Sequence, residues 1–284
     1  MYNFRDISAN EGIFIETRAR FQAVLDDFKY YAEVLTIEAG NAKTKSGKAS
    51  SYTRYLIRLI IFYLESNNDG LGNLSSFESL KKIEGIKYAE GFKAFNQESN
   101  RFYSATISCY LAYVTHKNTT NEELKDGDLN FLLNDYEGEK NIIREEQTKY
   151  LADGPKVKPD RNMDSGIYSY PRSRKEAFEA KKRSNWVCEF NREHETFTNI
   201  TNGNPHVEAH HLIPMAAQDY YENSIDFADN IVCLCPTCHS RIHYAVRAEK
   251  KGMIVELFNQ RKNLYLKHGI KIDEKLLLIF YGIV

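Results

Sequence analysis

Val207-Glu-Ala-His-His-Leu-Ile-Pro214 and Asn230-Ile-Val-Cys-Leu-Cys-Pro-Thr-Cys-His-Ser-Arg-Ile-His243 concentrate the metal-binding side chains of this sequence. His239 and His243 are four positions apart, so on a helix both imidazoles project from one face and suit two ligands of a single ion. His210 and His211 are adjacent, so in an extended strand they point to opposite sides. One of them can join the ion while the other faces a different part of the cavity, free to act as a base. Three imidazoles leave a coordination position open, which is the arrangement of a catalytic rather than a structural metal. An ion there stabilises charge on a phosphoryl oxygen and on a departing alkoxide. A histidine with an unperturbed pKa near ~6.5 takes a proton from water at neutral pH.

Cysteine and histidine are spread unevenly around these motifs. Four of the five Cys (188, 233, 235, 238) and six of the eight His (194, 206, 210, 211, 239, 243) fall between positions 188 and 243. In a chain with no export signal, that clustering points to metal before disulfides. Cys235-x-x-Cys238 is half of a zinc site. Where a second Cys-x-x-Cys would complete it, the sequence reads Cys188-Glu-Phe-Asn191, followed by His194. Cys233 alternates with Cys235 in a strand and reads as core, although it is the obvious substitute ligand. Cys109, alone in an apolar helical pattern, reads as a small buried hydrophobe. His116, His206 and His268 match no pattern, and nothing in the spacing of Asp164, Asp219 or Asp226 requires them as ligands.

Glu208-Ala-His-His211, Asn230 and Cys238-His-x-x-x-His243 closely resemble the HNH (ββα-metal) nuclease family, McrA-like restriction nucleases above all. The nuclease domains of colicins share the Glu-x-His-His and His-x-x-x-His pattern. The resemblance implies that His210, His239 and His243 hold the catalytic ion and that His211 is the general base. Asn230, nine residues before His239 as in the family, would brace the loop between the two strands and help orient the base. Glu208 would hold a ligand or a nearby basic residue. The pairing Cys188-x5-His194 with a downstream Thr-Phe resembles McrA-like relatives, and it implies a structural Zn²⁺ on Cys188, His194, Cys235 and Cys238. The working ion is expected to be Mg²⁺ or Mn²⁺, and the imidazole-rich set would also accept Zn²⁺ or Ni²⁺. The motif covers about residues 171–245, and a matching tail extends it nearly to position 284.

The chain has 284 residues, 42% hydrophobic and 27% charged, with a formal net charge of −1. That length favours two domains, and 16 Phe with 19 Tyr supply a packed core, which excludes disorder throughout. No apolar run of about 18 residues occurs, and the N-terminus lacks a basic segment followed by an apolar one, so neither a membrane span nor secretion is expected. A cytoplasmic protein follows. The expected fold is mainly α with a small α+β module: an N-terminal helical bundle, then a C-terminal ββα-metal nuclease domain with a structural zinc site.

Residues 1–120 read as helical. Helical spacing runs from Gly12 to about Glu38, a polar loop covers Gly40 to Ser50, and a mostly buried helix follows over 52–66 with Ser50 or Ser51 as its cap. Shorter helices are expected near 76–83 and 86–97, then a longer one near 99–115. This order, with Ser-Tyr-Thr-Arg-Tyr-Leu56 and Asn100-Arg-Phe-Tyr-Ser-Ala105, resembles the SAM-like core-binding domain of phage integrases over about residues 40–116. That resemblance implies a DNA-recognition role, the alternative being a helical bundle that binds protein or dimerises. A full tyrosine recombinase is excluded, because the window that would need His-x-x-Arg reads His239-Ser-Arg-Ile-His243.

Residues 121–165 read as a connector, acidic and then punctuated by Gly and Pro, with a helix over about 132–150. Residues 121–147 carry nine carboxylates against three bases, and residues 156–183 carry nine bases against four acids. The second excess suggests a local surface for a polyanion, the alternative being a solvated linker or helix face. Arg172, Arg174, Lys175, Lys181, Lys182 and Arg183 are therefore the expected phosphate contacts, which position a duplex without reading its sequence. The nuclease domain is expected over 166–284.

Double-stranded DNA is the expected substrate, through the family resemblance alone. One such site cuts one strand, so double-strand cleavage implies a homodimer. Restriction, including modification-dependent restriction, or phage defence fits a recognition domain joined to this module. The alternatives are a mobile-element nuclease and a non-catalytic, zinc-stabilised DNA-binding protein.

Overall fold

The computed structural model describes residues 2–40, 47–142, 154–164 and 167–284. The chain divides into two compact units, Met1–Lys117 with Ile279–Val284, and Asn118–Leu278. The described residues are mainly helical, with two separate antiparallel two-stranded sheets.

The first unit holds α1 (Gly12–Arg20), α2 (Gln22–Glu38), α3 (Gly47–Ser66), α4 (Phe77–Gly85), α5 (Phe92–Glu98) and the start of α6 (Phe102–Ile142). In α2, Leu25, Phe28, Ala32 and Leu35 fall on one stripe and are buried, and α2 packs on α3. The helical pattern from 12 to 38 is broken once, at Phe21, between α1 and α2. The start of α3 differs from expectation. It begins at Gly47, and Ser51 is not its cap but lies inside it, with Oγ donating back to the Gly47 carbonyl at 3.0 Å. Thr53 does the same to Ala49 at 2.9 Å. Such back-bonding lets a hydroxyl sit within a helix instead of terminating it. Ser76 does cap α4, its Oγ accepting from the Ser79 amide at 3.2 Å. Cys109 is buried, as its apolar surroundings predict. The expected loop of 40–50 falls partly outside the described residues.

α6 also departs from expectation. It does not end near 115 but continues to Ile142, through the acidic stretch. The reason is that these acids do not all face water. Glu122 and Asp126 are buried, and Arg172 pairs with them at 3.0 and 2.6 Å. Leu129 and Leu133 then join a core made with Ala177, Ala180, Val207, Ala209, Ala228, Ile231 and Cys233. The helix expected over 132–150, and Gly166 in the connector, lie partly or wholly outside the described residues.

The second unit continues with the sheet of β1 (Asn162–Asp164) and β2 (Ile167–Ser169), then α7 (Arg174–Ser184), β3 (Glu208–His211), β4 (Ile231–Leu234), α8 (Pro236–Tyr244), α9 (Arg247–Arg261) and α10 (Glu274–Phe280). Ser173 caps α7, its Oγ accepting from the Glu176 amide at 3.3 Å. Small side chains at Ala177 and Ala180 let α7 lie against β4. Past the helix, Asn185 and Trp186 both take left-handed backbone (φ 58° and 53°), which ends the helix and turns the chain toward Cys188. Residues 197–206 fold back on themselves around Gly203, where φ is +73°. The Asn199 amide donates to the Asn204 carbonyl, and the His206 amide to the Phe197 carbonyl, each at 2.8 Å. β3 pairs with β4 so that Ala209 faces Cys233, His210 faces Val232 and His211 faces Ile231. Pro236 opens α8 at a position where its missing N–H costs nothing. Cys233 is fully buried in the core cluster, as its alternation predicts.

Candidate active site and metal centres

β3 presents His210 to α8, and α8 presents His239 and His243 from one face. His210 Nδ1 lies 3.1 Å from His243 Nε2, which lies 3.3 Å from His239 Nε2. Nitrogens around a tetrahedral ion with bonds of ~2.0–2.1 Å lie about 3.4 Å apart, so this spacing fits an ion at the centre of the three. The outer nitrogens support that fit. His239 Nδ1 is 2.6 Å from Glu208 Oε2, and His243 Nδ1 is 3.0 Å from Glu123 Oε1. A hydrogen on each Nδ1, given to these carboxylates, would turn both Nε2 lone pairs inward. Burial, and then the neighbouring His243 and His239, push His210 well below the ordinary histidine range. Three nitrogens converging at this distance could hold a metal ion between them. The imidazoles of His206 and His239 keep Glu208 ionised, pulling it down to about 2.

His211 points the other way, as adjacency on a strand requires. It is buried, at 1% exposure, between two carboxylates: Nε2 is 3.0 Å from Asp226 Oδ1, and Nδ1 is 3.5 Å from Asp126 Oδ1 without forming a hydrogen bond. Burial disfavours the imidazolium, but Asp126 and Asp226 outweigh it and raise His211 to about 9. Neither acid is marked by the sequence. Asp226 carries no motif, and Asp126 sits in what reads as a connector. Asp226 also accepts the Ser173 amide at 2.7 Å through its other oxygen, so it ties β3 to the start of α7.

Asn230 is wholly buried and binds the loop between β3 and β4 to itself. Its Oδ1 accepts the Ile213 amide at 2.8 Å, and its Nδ2 donates to the carbonyls of Ile213 and Ile225 at 3.1 and 2.8 Å. The Leu212 amide donates to its carbonyl at 2.8 Å. This residue touches the segment that follows His211 but neither of the paired imidazole nitrogens.

A second cluster gathers Cys188, His194, Cys235 and Cys238, whose ligand atoms all lie within 4.8 Å of one another. His194 Nδ1 is 3.5 Å from Cys235 Sγ and 3.4 Å from Cys238 Sγ. Tetrahedral Zn with Zn–S of ~2.3 Å and Zn–N of ~2.0–2.1 Å places S and N about 3.6 Å apart. Four soft donors with no fifth position fit a structural zinc. Cys235 is also the cap of α8, its Sγ accepting the Cys238 amide at 3.4 Å. The same helix thus serves both centres, with Cys238 and His239 adjacent in sequence.

The basic residues separate into two sets. Arg174, Lys175 and Lys182 are exposed. Arg172 is not the surface contact that the charge pattern predicts. Its guanidinium, 4% exposed, binds Glu122, Asp126 and the Tyr170 carbonyl, because the acidic face of α6 needs a counter-charge. Lys181 is likewise buried, at 2% exposure, which corrects its placement among phosphate contacts. Arg183 pairs with Glu179 at 2.9 Å and Asp229 at 2.8 Å. Two histidines without a pattern have partners too: His206 lies 3.7 Å from Glu208, and His268 lies 2.7 Å from Asp229.

Comparison with known proteins bears on this same segment. Residues 187–244 match the family HNH_2, described as HNH endonuclease. Over 51 residues the chain is 39% identical to the type IV methyl-directed restriction enzyme EcoKMcrA of Escherichia coli K12. That match spans 18% of this chain and 17% of the relative. No solved structure gave a significant match. The segment that assembles both clusters therefore matches the HNH endonuclease family.

Proposed function

We propose that this protein is a metal-dependent DNA endonuclease that hydrolyses phosphodiester bonds and serves in restriction. The observation that carries this reading is the convergence of His210, His239 and His243 with His211 on the opposite side of the same strand. His210, His239 and His243 would hold a divalent ion of the Mg²⁺ or Mn²⁺ class. When bound, that ion supplies positive charge that offsets the phosphate and the departing oxygen and opposes a second positive charge on neighbouring His211. His211, held between Asp226 and Asp126, would be the base that takes a proton from the attacking water, as the family resemblance implies. Asp126, near Nδ1, then stabilises the imidazolium that forms. Asn230 keeps the loop after His211 in place, and Glu208 keeps His239 in its ligating tautomer.

Exposed Arg174, Lys175 and Lys182 are the remaining candidates for phosphate contacts. The first unit is the candidate reader of sequence or base modification, and its expected likeness to an integrase core-binding domain belongs to the same reading. A methyl-directed role follows from the printed name of the E. coli relative and is carried here as a proposal. Two copies would be needed for a double-strand cut. Among the described residues, no helix is long and apolar enough to cross a membrane. The test is cleavage of methylated and unmethylated plasmid with Mg²⁺ or Mn²⁺. Cutting of the methylated plasmid alone is the expected result, and cutting of neither, with or without Mn²⁺, would count against the proposal.

A further inference from the structure

One face of the second half of α6 reaches the site through three residues, Glu123, Asp126 and Asn130, although it lies outside the region that matches the nuclease family. Glu122 and Asp126 pair with Arg172 at 3.0 and 2.6 Å. Glu123 Oε1 meets His243 Nδ1 at 3.0 Å, and Asp126 Oδ1 lies 3.5 Å from His211 Nδ1. Asn130 exchanges two hydrogen bonds with the backbone of Ala209: the Ala209 amide donates to Oδ1 at 2.7 Å, and Nδ2 donates to the Ala209 carbonyl at 3.1 Å. Positions 122, 126 and 130 recur every four residues, and 123 precedes 126 by three, so all four lie on one side of the helix. Asn130 therefore grips the strand at the residue before His210, while the two carboxylates reach histidines on either side of that strand.

Resting on the nuclease reading above, we propose that this face of α6 is a positioning element of the active centre. Glu123 holds His243 as an Nε2 ligand, and Asp126, steadied by Arg172, sets a negative charge beside His211 Nδ1. A ligand imidazole whose outer N–H is bound to a carboxylate keeps one tautomer and one ring orientation, and losing such a partner lowers metal affinity or activity by about 10- to 100-fold. Glu123 is suited to test this because its side chain is 42% exposed and fills no core. A fragment starting at residue 166 would lack this helix.

The test is calorimetric titration of Ni²⁺ into the zinc-loaded full chain, with plasmid cleavage and melting temperature measured on the same samples. Glu123→Ala should bind Ni²⁺ about 10- to 100-fold more weakly at an unchanged melting temperature. Glu123→Gln, which keeps a neutral acceptor, should fall between. Asp126→Asn should keep its Ni²⁺ affinity and cleave on the order of tenfold more slowly. If it does not fold, the Glu123 series decides alone. Wild-type Ni²⁺ affinity in Glu123→Ala, or faster cleavage by it, overturns the positioning role. If the wild type shows no Ni²⁺ binding that His239→Ala removes, the nuclease reading fails together with this one.

Discussion

Asn230 and the backbone of Ile213 exchange two hydrogen bonds, the Ile213 amide donating to Oδ1 at 2.8 Å and Nδ2 donating to the Ile213 carbonyl at 3.1 Å. A buried amide side chain thereby acts as a rung between β4 and the loop that leaves β3. Replacing it with alanine strands a buried donor and two carbonyls. Asn230→Ala should lose about 1–3 kcal/mol or more in urea denaturation. Asn230→Asp should be worse, since a carboxylate oxygen would face the carbonyls of Ile213 and Ile225. Wild-type stability in both variants would show that the loop is held by other interactions.

Arg172 and Lys182 belong to the same basic run but should behave oppositely. Arg172→Ala leaves Glu122 and Asp126 buried without their counter-charge, and the expected loss is about 3–5 kcal/mol. Lys182→Ala and Arg174→Ala should leave stability unchanged and weaken DNA binding. The slope of log affinity against log salt should become shallower by about 0.9 for each phosphate that is no longer neutralised. Salt-dependent binding titrations separate the two classes. Equal stability loss in all three variants would contradict the division.

Much of the site is legible in the sequence because its chemistry is local there. His239 and His243 share a helical face, His210 and His211 alternate on a strand, and Cys235 and Cys238 span one helical turn. Each relation follows from backbone geometry alone. What spacing does not show is what packs against the strand from far away. Asp126 and Glu123 read as members of a solvated acidic run, because composition alone does not distinguish a charge facing water from one facing Arg172 or His243. Arg172 misleads for the complementary reason. The length of α6 is hidden by the same acids, which carry no apolar periodicity even though Leu129 and Leu133 enter the core. Asp226 has a role that only its distance to His211 reveals.

The zinc assignment makes a separate prediction. Cys235→Ser removes both a thiolate ligand and the sulfur that accepts the Cys238 amide. The variant should lose one equivalent of zinc by elemental analysis and melt at a lower temperature, because binding energy at a structural zinc is folding energy. A full complement of zinc in the variant would exclude Cys235 from the site. Cys233→Ala should keep its zinc, since that residue lies in the core cluster.

Asp229 supplies a pH-dependent contribution to stability. Burial works against its charge, but hydrogen bonds from His268 and Lys267 and the charge of Arg183 prevail and hold it below the ordinary carboxylate range. A depressed native pKa means that the stabilisation is present above the unfolded value near ~3.9 and is lost as pH falls toward the native one. The stability gap between wild type and Asp229→Asn should therefore be widest near neutrality and shrink below about pH 4. Urea denaturation across that range would reveal it, and a gap that widened in acid would mean that Asp229 is not held in this way.

The most direct test of the proposed chemistry is plasmid cleavage by the wild type and by His211→Ala in Mn²⁺, with DNA binding and zinc content measured on the same preparations. His211 lies 1% exposed between Asp226 and Asp126, outside the set of three ligands. The expected result is a variant that folds, keeps its zinc and binds DNA as the wild type does, yet does not cut. Cleavage by His211→Ala at the wild-type rate would contradict the assignment of this residue as the base.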